Sequence, residues 1–208
     1  MNADSEKTND DIQMSQIIER LNIDSGREAA VTLATAAIGV VLYVVLTAFP
    51  WPYTMVSLFK LGVLPSLAII STVGAIRGPI AGFLTGYVGE ILTGLLLHGT
   101  ILLGTATAAA FGVCGLVVGI LSYDFSRGRS LGKLSFMSAF GFVLTTLLVT
   151  VLSLFVEVTA PMAAIGFLLL PYLTVGLPTM ILFTPVYARL WHLFMRRFLP
   201  SHLKKQLL

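Results

Sequence analysis

One cysteine, Cys114, in 208 residues leaves no partner for a disulfide and no thiolate cluster for a metal. Charge is scarce as well: 11% of the residues are Asp, Glu, Lys or Arg, against roughly 25% in soluble domains. The three histidines (His98, His192 and His202) lie far apart with no HExxH pattern, which argues against a zinc site. No GxSxG elbow is present for an intramembrane hydrolase. The segment Gly128-Arg129-Ser130-Leu131-Gly132-Lys133-Leu134 imitates a phosphate loop only superficially. One residue is missing between its glycines, and Leu134 stands where a Ser or Thr must bind Mg²⁺. The usual catalytic constellations are therefore missing, and the reading is a non-enzyme with no cofactor and no metal.

What the chain has in abundance is apolar surface. Hydrophobic residues make up 56% of it, and the mean hydropathy is +0.91. A soluble fold of this length has nowhere to bury so much, so the expectation is an all-α integral membrane protein. Residues 1–28 carry seven of the ten acids and a formal charge of −4, whereas the remaining 180 residues carry +7. The organisation expected is an acidic tail at 1–28, a membrane domain at 29–195 and a basic tail at 196–208. The acidic start is the reverse of a signal peptide. Within the tail, residues 11–23 would place Ile17, Ile18 and Leu21 on one helical side, which suits a short amphipathic helix at the membrane interface. Gln13, Gln16, Glu19 and Arg20 equally suit a solvated helix or a disordered tail.

At about 20 residues per span the membrane domain accommodates six helices in a compact bundle. The candidates are 29–49, 59–76, 79–97, 100–122, 134–156 and 164–188. Arg77-Gly78-Pro79 ends one and starts the next, with proline at a first helical position where its missing N–H costs nothing. Pro171, Pro178 and Pro185 interrupt the last and predict a kinked helix whose freed carbonyls need partners. With both termini on one side, that side collects twelve Lys and Arg residues and the other only Lys60. The positive-inside rule then makes both termini cytoplasmic. Basic residues used in this way are topology signals, so the net charge of +3 does not point to nucleic acid.

Two patterns within the spans bear on function. Gly78, Gly82, Gly86, Glu90 and Gly94 recur every four residues, and Gly104, Ala108 and Gly112 follow suit in the next span. Small residues at this spacing let helix backbones approach closely. Glu90 is the exception in that series, because a carboxylate at hydrocarbon depth costs on the order of 2.5–3.5 kcal/mol and must face the interior and find a partner or stay protonated. It either pins an outer loop or touches a ligand. The outer loop Phe49-Pro50-Trp51-Pro52-Tyr53-Thr54-Met55 is either an aromatic belt at the headgroups or a lid over a small planar ligand. Lys60, His98 and Glu157 fall at the same outer level, and Tyr172 approaches from the last span. Together Trp51, Tyr53, Lys60, Glu90, His98, Glu157 and Tyr172 are the candidate substrate-binding residues.

This arrangement resembles the substrate-binding S components of energy-coupling factor (ECF) transporters, over roughly residues 28–195. The resemblance rests on Leu61-Gly62-Val63-Leu64-Pro65, on Gly74, on Gly78-Pro79-Ile80-Ala81-Gly82 and on Gly86-Tyr87-Val88-Gly89-Glu90. Ala30 and Ala34 are similar to the paired alanines that contact the membrane-embedded T component. The resemblance implies a subunit in the cytoplasmic membrane of a prokaryote that captures a vitamin or related micronutrient outside. It also implies a T component and two ATPase subunits as separate chains. Capture would be followed by toppling against the T component along a small-residue face that includes Ala30, Ala34, Gly78, Gly82 and Gly86. Metal-transporting relatives carry a histidine directly after the initiator, and Asn2 and Ala3 depart from that, favouring an organic ligand. The alternatives are a membrane scaffold without a ligand and a self-sufficient secondary carrier.

Overall fold

The computed structural model describes residues 26–49, 53–56, 59–100, 104–125, 128–155 and 160–198. The acidic tail through residue 25, the end of the chain from 199, Trp51 and Glu157 lie outside them. The described chain is helical apart from one hairpin. Its elements are α1 (Gly26–Ala48), β1 (Tyr53–Val56), β2 (Phe59–Gly62), α2 (Pro65–Arg77), α3 (Pro79–His98), α4 (Gly104–Gly119), α5 (Gly128–Phe155) and α6 (161–198). Four helices (α1, α3, α5 and α6) are long and apolar enough to cross a membrane, and α2 and α4 are shorter apolar helices. Large apolar side chains such as Leu33, Val41, Phe136, Phe140, Leu182 and Val186 point outward and are exposed, the surface that lipid requires.

The six segments follow the expected order, with one correction of substance. Residues 59–62 are not the start of the second helix. They form β2, antiparallel to β1 with Tyr53 opposite Gly62 and Met55 opposite Lys60. The helix begins only at Pro65, in the first-turn position proline prefers. At ~1.5 Å per residue, α2 is about 20 Å long, too short for a ~30 Å hydrocarbon layer. The hairpin precedes α2, and β2 packs against α6. At the junction, the Leu64 backbone N–H donates to Thr179 Oγ1 of α6 at 3.0 Å.

Every residue from Pro65 to Gly74 is buried, because α2 is the central helix. The other five form an arc around it, in the order α1, α3, α4, α5, α6. The tightest crossing in this arc is α3 on α4, where Gly82 lies on Gly115. A Cβ at Gly82 would stand 2.6 Å from the Gly115 carbonyl oxygen, and one at Gly115 would run into the Gly82 carbonyl. The four-residue glycine spacing therefore serves backbone-to-backbone contact inside the molecule.

At the end of the bundle where α1 begins, Gly78 makes the α2–α3 turn with φ of 105°, a value that favours glycine. Beside it, Arg77 Nε donates to Thr32 Oγ1 and an Nη2 donates to the Glu28 carbonyl, both at 3.2 Å, tying α2 to α1. Arg77→Gln is expected to lower stability by about 1–2 kcal/mol in a detergent unfolding assay. Arg77→Lys should not restore it, since an ammonium lacks the forked donor geometry.

The last segment is one helical run in which two of the three prolines, Pro171 and Pro185, are accommodated locally. A π-helical turn (Ala164–Leu169) precedes Pro171, widening the backbone where the proline ring would meet the preceding turn. Pro185 leaves the Ile181 carbonyl without its helical donor, and Ser135 Oγ of α5 supplies one at 2.9 Å. The expected need for partners is thus met by a neighbouring helix at this position.

Candidate functional site

Glu90 sits about 16 Å along α3 from Pro79, beyond the middle of a membrane-depth helix. It does not face lipid alone: Tyr43 of α1 donates its hydroxyl to Glu90 Oε2 at 2.7 Å. Tyr43 is itself 3% exposed, and its ring lies against Gly89, where no side chain intervenes. Among the described residues no second hydrogen bond reaches the Glu90 carboxyl. One carboxylate oxygen is therefore held by a phenol, and the other is left to accept from something else.

Tyr172 comes from α6 to the same region. It packs edge-on against Phe111 of α4, with ring centroids 5.6 Å apart, and borders the main apolar cluster that contains Tyr43. Tyr172 and Glu90 are near enough to interact electrostatically. On α3, Thr93 follows Glu90 by one turn; it is 5% exposed, and its hydroxyl has no hydrogen-bond partner. A carboxylate with one unused oxygen and two phenols thus meet at this level of the bundle, and the unpartnered Thr93 hydroxyl lies one turn further along α3. Small-ligand sites use a few polar groups of this kind to fix orientation.

The remaining candidates divide by position. Tyr53 and Lys60 are in β1 and β2, so the hairpin carries both, with Lys60 opposite Met55. His98 ends α3, exposed, two turns beyond Glu90 and within its electrostatic reach. Trp51 and Glu157 lie outside the described residues. No protein-family model, curated protein or solved structure matches this chain. The site is therefore read from its own residues.

The residues assigned to a T-component face also separate. Ala30 and Ala34 are exposed on α1. Gly82 and Gly86 are buried, with α4 backbone at Gly115 and Phe111 lying over them. They present no surface to a second chain, which corrects the expectation for these two glycines, and Gly78 is committed to the α2–α3 turn. The outward apolar feature is instead a groove of about 620 Å³ where the arc stays open between α1 and α6. Ile38 and Leu42 form one wall, Ile69 and Val73 of α2 the floor, and Tyr187 and Trp191 the other wall.

Tyr43 and Thr93 are the two site residues that the sequence pattern did not single out. For Tyr43 there was a signal, a lone phenol in the apolar run Val40-Val41-Leu42-Tyr43-Val44-Val45. A hydroxyl at that depth needs an acceptor, and Glu90 is the only carboxylate in any of the predicted spans. Tyr43→Phe is expected to cost about 1–3 kcal/mol by leaving the carboxylate without its donor. Measured in a Glu90→Gln background, the same change should cost only about 1 kcal/mol, the value of a neutral hydrogen bond.

Proposed function

We propose that this chain is the substrate-specificity subunit, or S component, of an ECF-type ABC importer. It would capture a small water-soluble vitamin or related organic micronutrient from outside. The six helical segments are read as six spans with both termini cytoplasmic, in the cytoplasmic membrane of a prokaryote. The observation that carries the proposal is the Tyr43–Glu90 pair with its unused carboxylate oxygen, beside Tyr172 and Thr93. A scaffold that needs only helix packing gains nothing from a partly buried carboxylate, which costs stability at hydrocarbon depth. The hairpin that carries Tyr53 and Lys60 packs against α6, the helix that supplies Tyr172, and in this reading it serves as the cover.

Energy comes from elsewhere in this reading, since the chain has no true phosphate loop. A T component and two ATPase subunits act in trans, and ligand release inward follows toppling of the S component within the membrane. The exposed Ala30 and Ala34 on α1 are the contact offered to the T component, and the neighbouring α1–α6 groove adds apolar area to that side.

Reconstitution tests the division of labour. Proteoliposomes holding this chain alone are expected to bind a vitamin-like ligand without accumulating it, whatever ion gradient is imposed. Accumulation is expected only with T-component and ATPase subunits and ATP. Gradient-driven uptake by the chain alone would make it a secondary carrier instead.

A further inference from the structure

The described part of the α4–α5 connection, residues 120–125, is at the end of the bundle where Arg77 and Arg189 lie and is held by several contacts. Tyr123 donates its hydroxyl to the Val118 carbonyl at 3.0 Å, and Arg189 Nη1 of α6 donates to the Phe125 carbonyl at 2.9 Å. The Asp124 backbone N–H donates to Ser130 Oγ at 2.9 Å. Tyr123 and Phe125 stack with centroids 6.4 Å apart, and Lys133 Nζ stands 5.6 Å above the Tyr123 ring. Burial pushes the Tyr123 phenol up to about 12, so it acts as a neutral donor.

Beside them is a widely open surface depression of about 660 Å³ lined by Ser122, Tyr123, Asp124, Arg129, Ser130 and Lys133. Arg129 and Lys133 are one helical turn apart on the same face of α5, where two like charges repel. Among the described residues no carboxylate forms an ion pair with either. Asp124 is the one acid in the lining, and it leaves the pair of cations in excess. Ser130 accepts the Asp124 N–H, so its own O–H remains available as a donor. A forked guanidinium, an ammonium and hydroxyl donors around one depression match the oxygen acceptors of a phosphate group.

We propose that this depression binds a phosphate group, supplied either by an anionic lipid headgroup or by a soluble phosphate compound. It is distinct from a nucleotide loop, because Leu134 is fully buried and supplies no metal ligand. Bound phosphate would neutralise the Arg129–Lys133 repulsion and hold the α4–α5 connection to the membrane surface.

The test uses the full chain in neutral detergent and reads thermal unfolding at constant ionic strength. In one arm phosphatidic acid is titrated against diacylglycerol, which has the same chains and no phosphate. In the other, inorganic phosphate and pyrophosphate are titrated against chloride. A saturable rise in Tm is expected in one arm, and the arm that responds names the source. The double variant Arg129→Gln with Lys133→Gln should weaken the apparent affinity by roughly tenfold or more. Arg196→Gln with Arg197→Gln, basic and exposed in the last turn of α6, should leave it unchanged. Both replaced side chains at 129 and 133 are exposed, and the doubly charge-conserving variant Arg129→Lys with Lys133→Arg should retain most of the response. No response in either arm, or an equal loss in both double variants, overturns the proposal.

Discussion

Replacing Glu90 with glutamine is expected to weaken ligand capture by roughly 10–100-fold while leaving thermal stability unchanged or slightly higher. The two effects have opposite signs because the carboxylate has two roles. A charge-assisted hydrogen bond to a bound ligand is worth about 1.5–3 kcal/mol, and an amide supplies a weaker acceptor. A carboxylate at hydrocarbon depth meanwhile destabilises the unliganded protein, and its removal relieves that cost. Glutamine retains an oxygen for the Tyr43 hydroxyl, so the link from α1 to α3 survives. Isothermal titration in detergent gives the affinity, and a melting curve of the empty protein gives the stability. If Glu90 only pinned neighbouring elements, the variant would lose stability and affinity together.

The second large effect is expected at the glycine crossing. Gly115→Ala places a Cβ on the Gly82 carbonyl, and Gly82→Ala meets the Gly115 carbonyl at 2.6 Å. Neither neighbour is a side chain that can rotate away, so α3 and α4 must separate. Overpacking of this kind costs about 3 kcal/mol, and in a helix pair held by van der Waals contact the whole α3–α4 packing weakens. Each variant is expected to lose most of its monodisperse, folded fraction on size-exclusion chromatography. Gly132→Ala is the matched control, because open space surrounds that position on α5. It should be tolerated or should stabilise by about 0.5–1 kcal/mol through helix propensity. Normal folding of Gly115→Ala would show that the α3–α4 contact is looser than described.

Much of the architecture was legible because lipid permits few backbone solutions. The order of the helical segments, the Arg77-Gly78-Pro79 turn and the need to satisfy proline-freed carbonyls all follow from hydrophobic run length and proline chemistry. The hairpin was not legible. The segment Phe59-Lys60-Leu61-Gly62-Val63-Leu64 continues smoothly into the apolar run of α2, and hydropathy alone does not separate a short strand from a helix start. Pro65 was the available signal, since it marks a first helical turn. For the site, Glu90 stood out by its charge and Tyr172 by its chemistry. Tyr43 and Thr93 did not, because a phenol and a hydroxyl in apolar helices are common and only the fold shows what they face. The four-residue glycine spacing signals close approach, but which surface it meets depends on tertiary arrangement. Gly82 and Gly86 are occupied by α4, which leaves Ala30 and Ala34 as the exposed small residues of the resemblance.

The central claim, that this chain captures a small organic ligand, is tested most directly by what it carries. The tagged protein is purified in mild detergent from cells grown in rich medium, denatured, and its released small molecules are identified by mass spectrometry. The account predicts one vitamin-like compound at near-stoichiometric yield from the native chain and a strongly reduced yield from Glu90→Gln. A folded protein that releases nothing, and whose melting curve no vitamin in a supplemented panel shifts, would contradict capture and leave a scaffold as the better description.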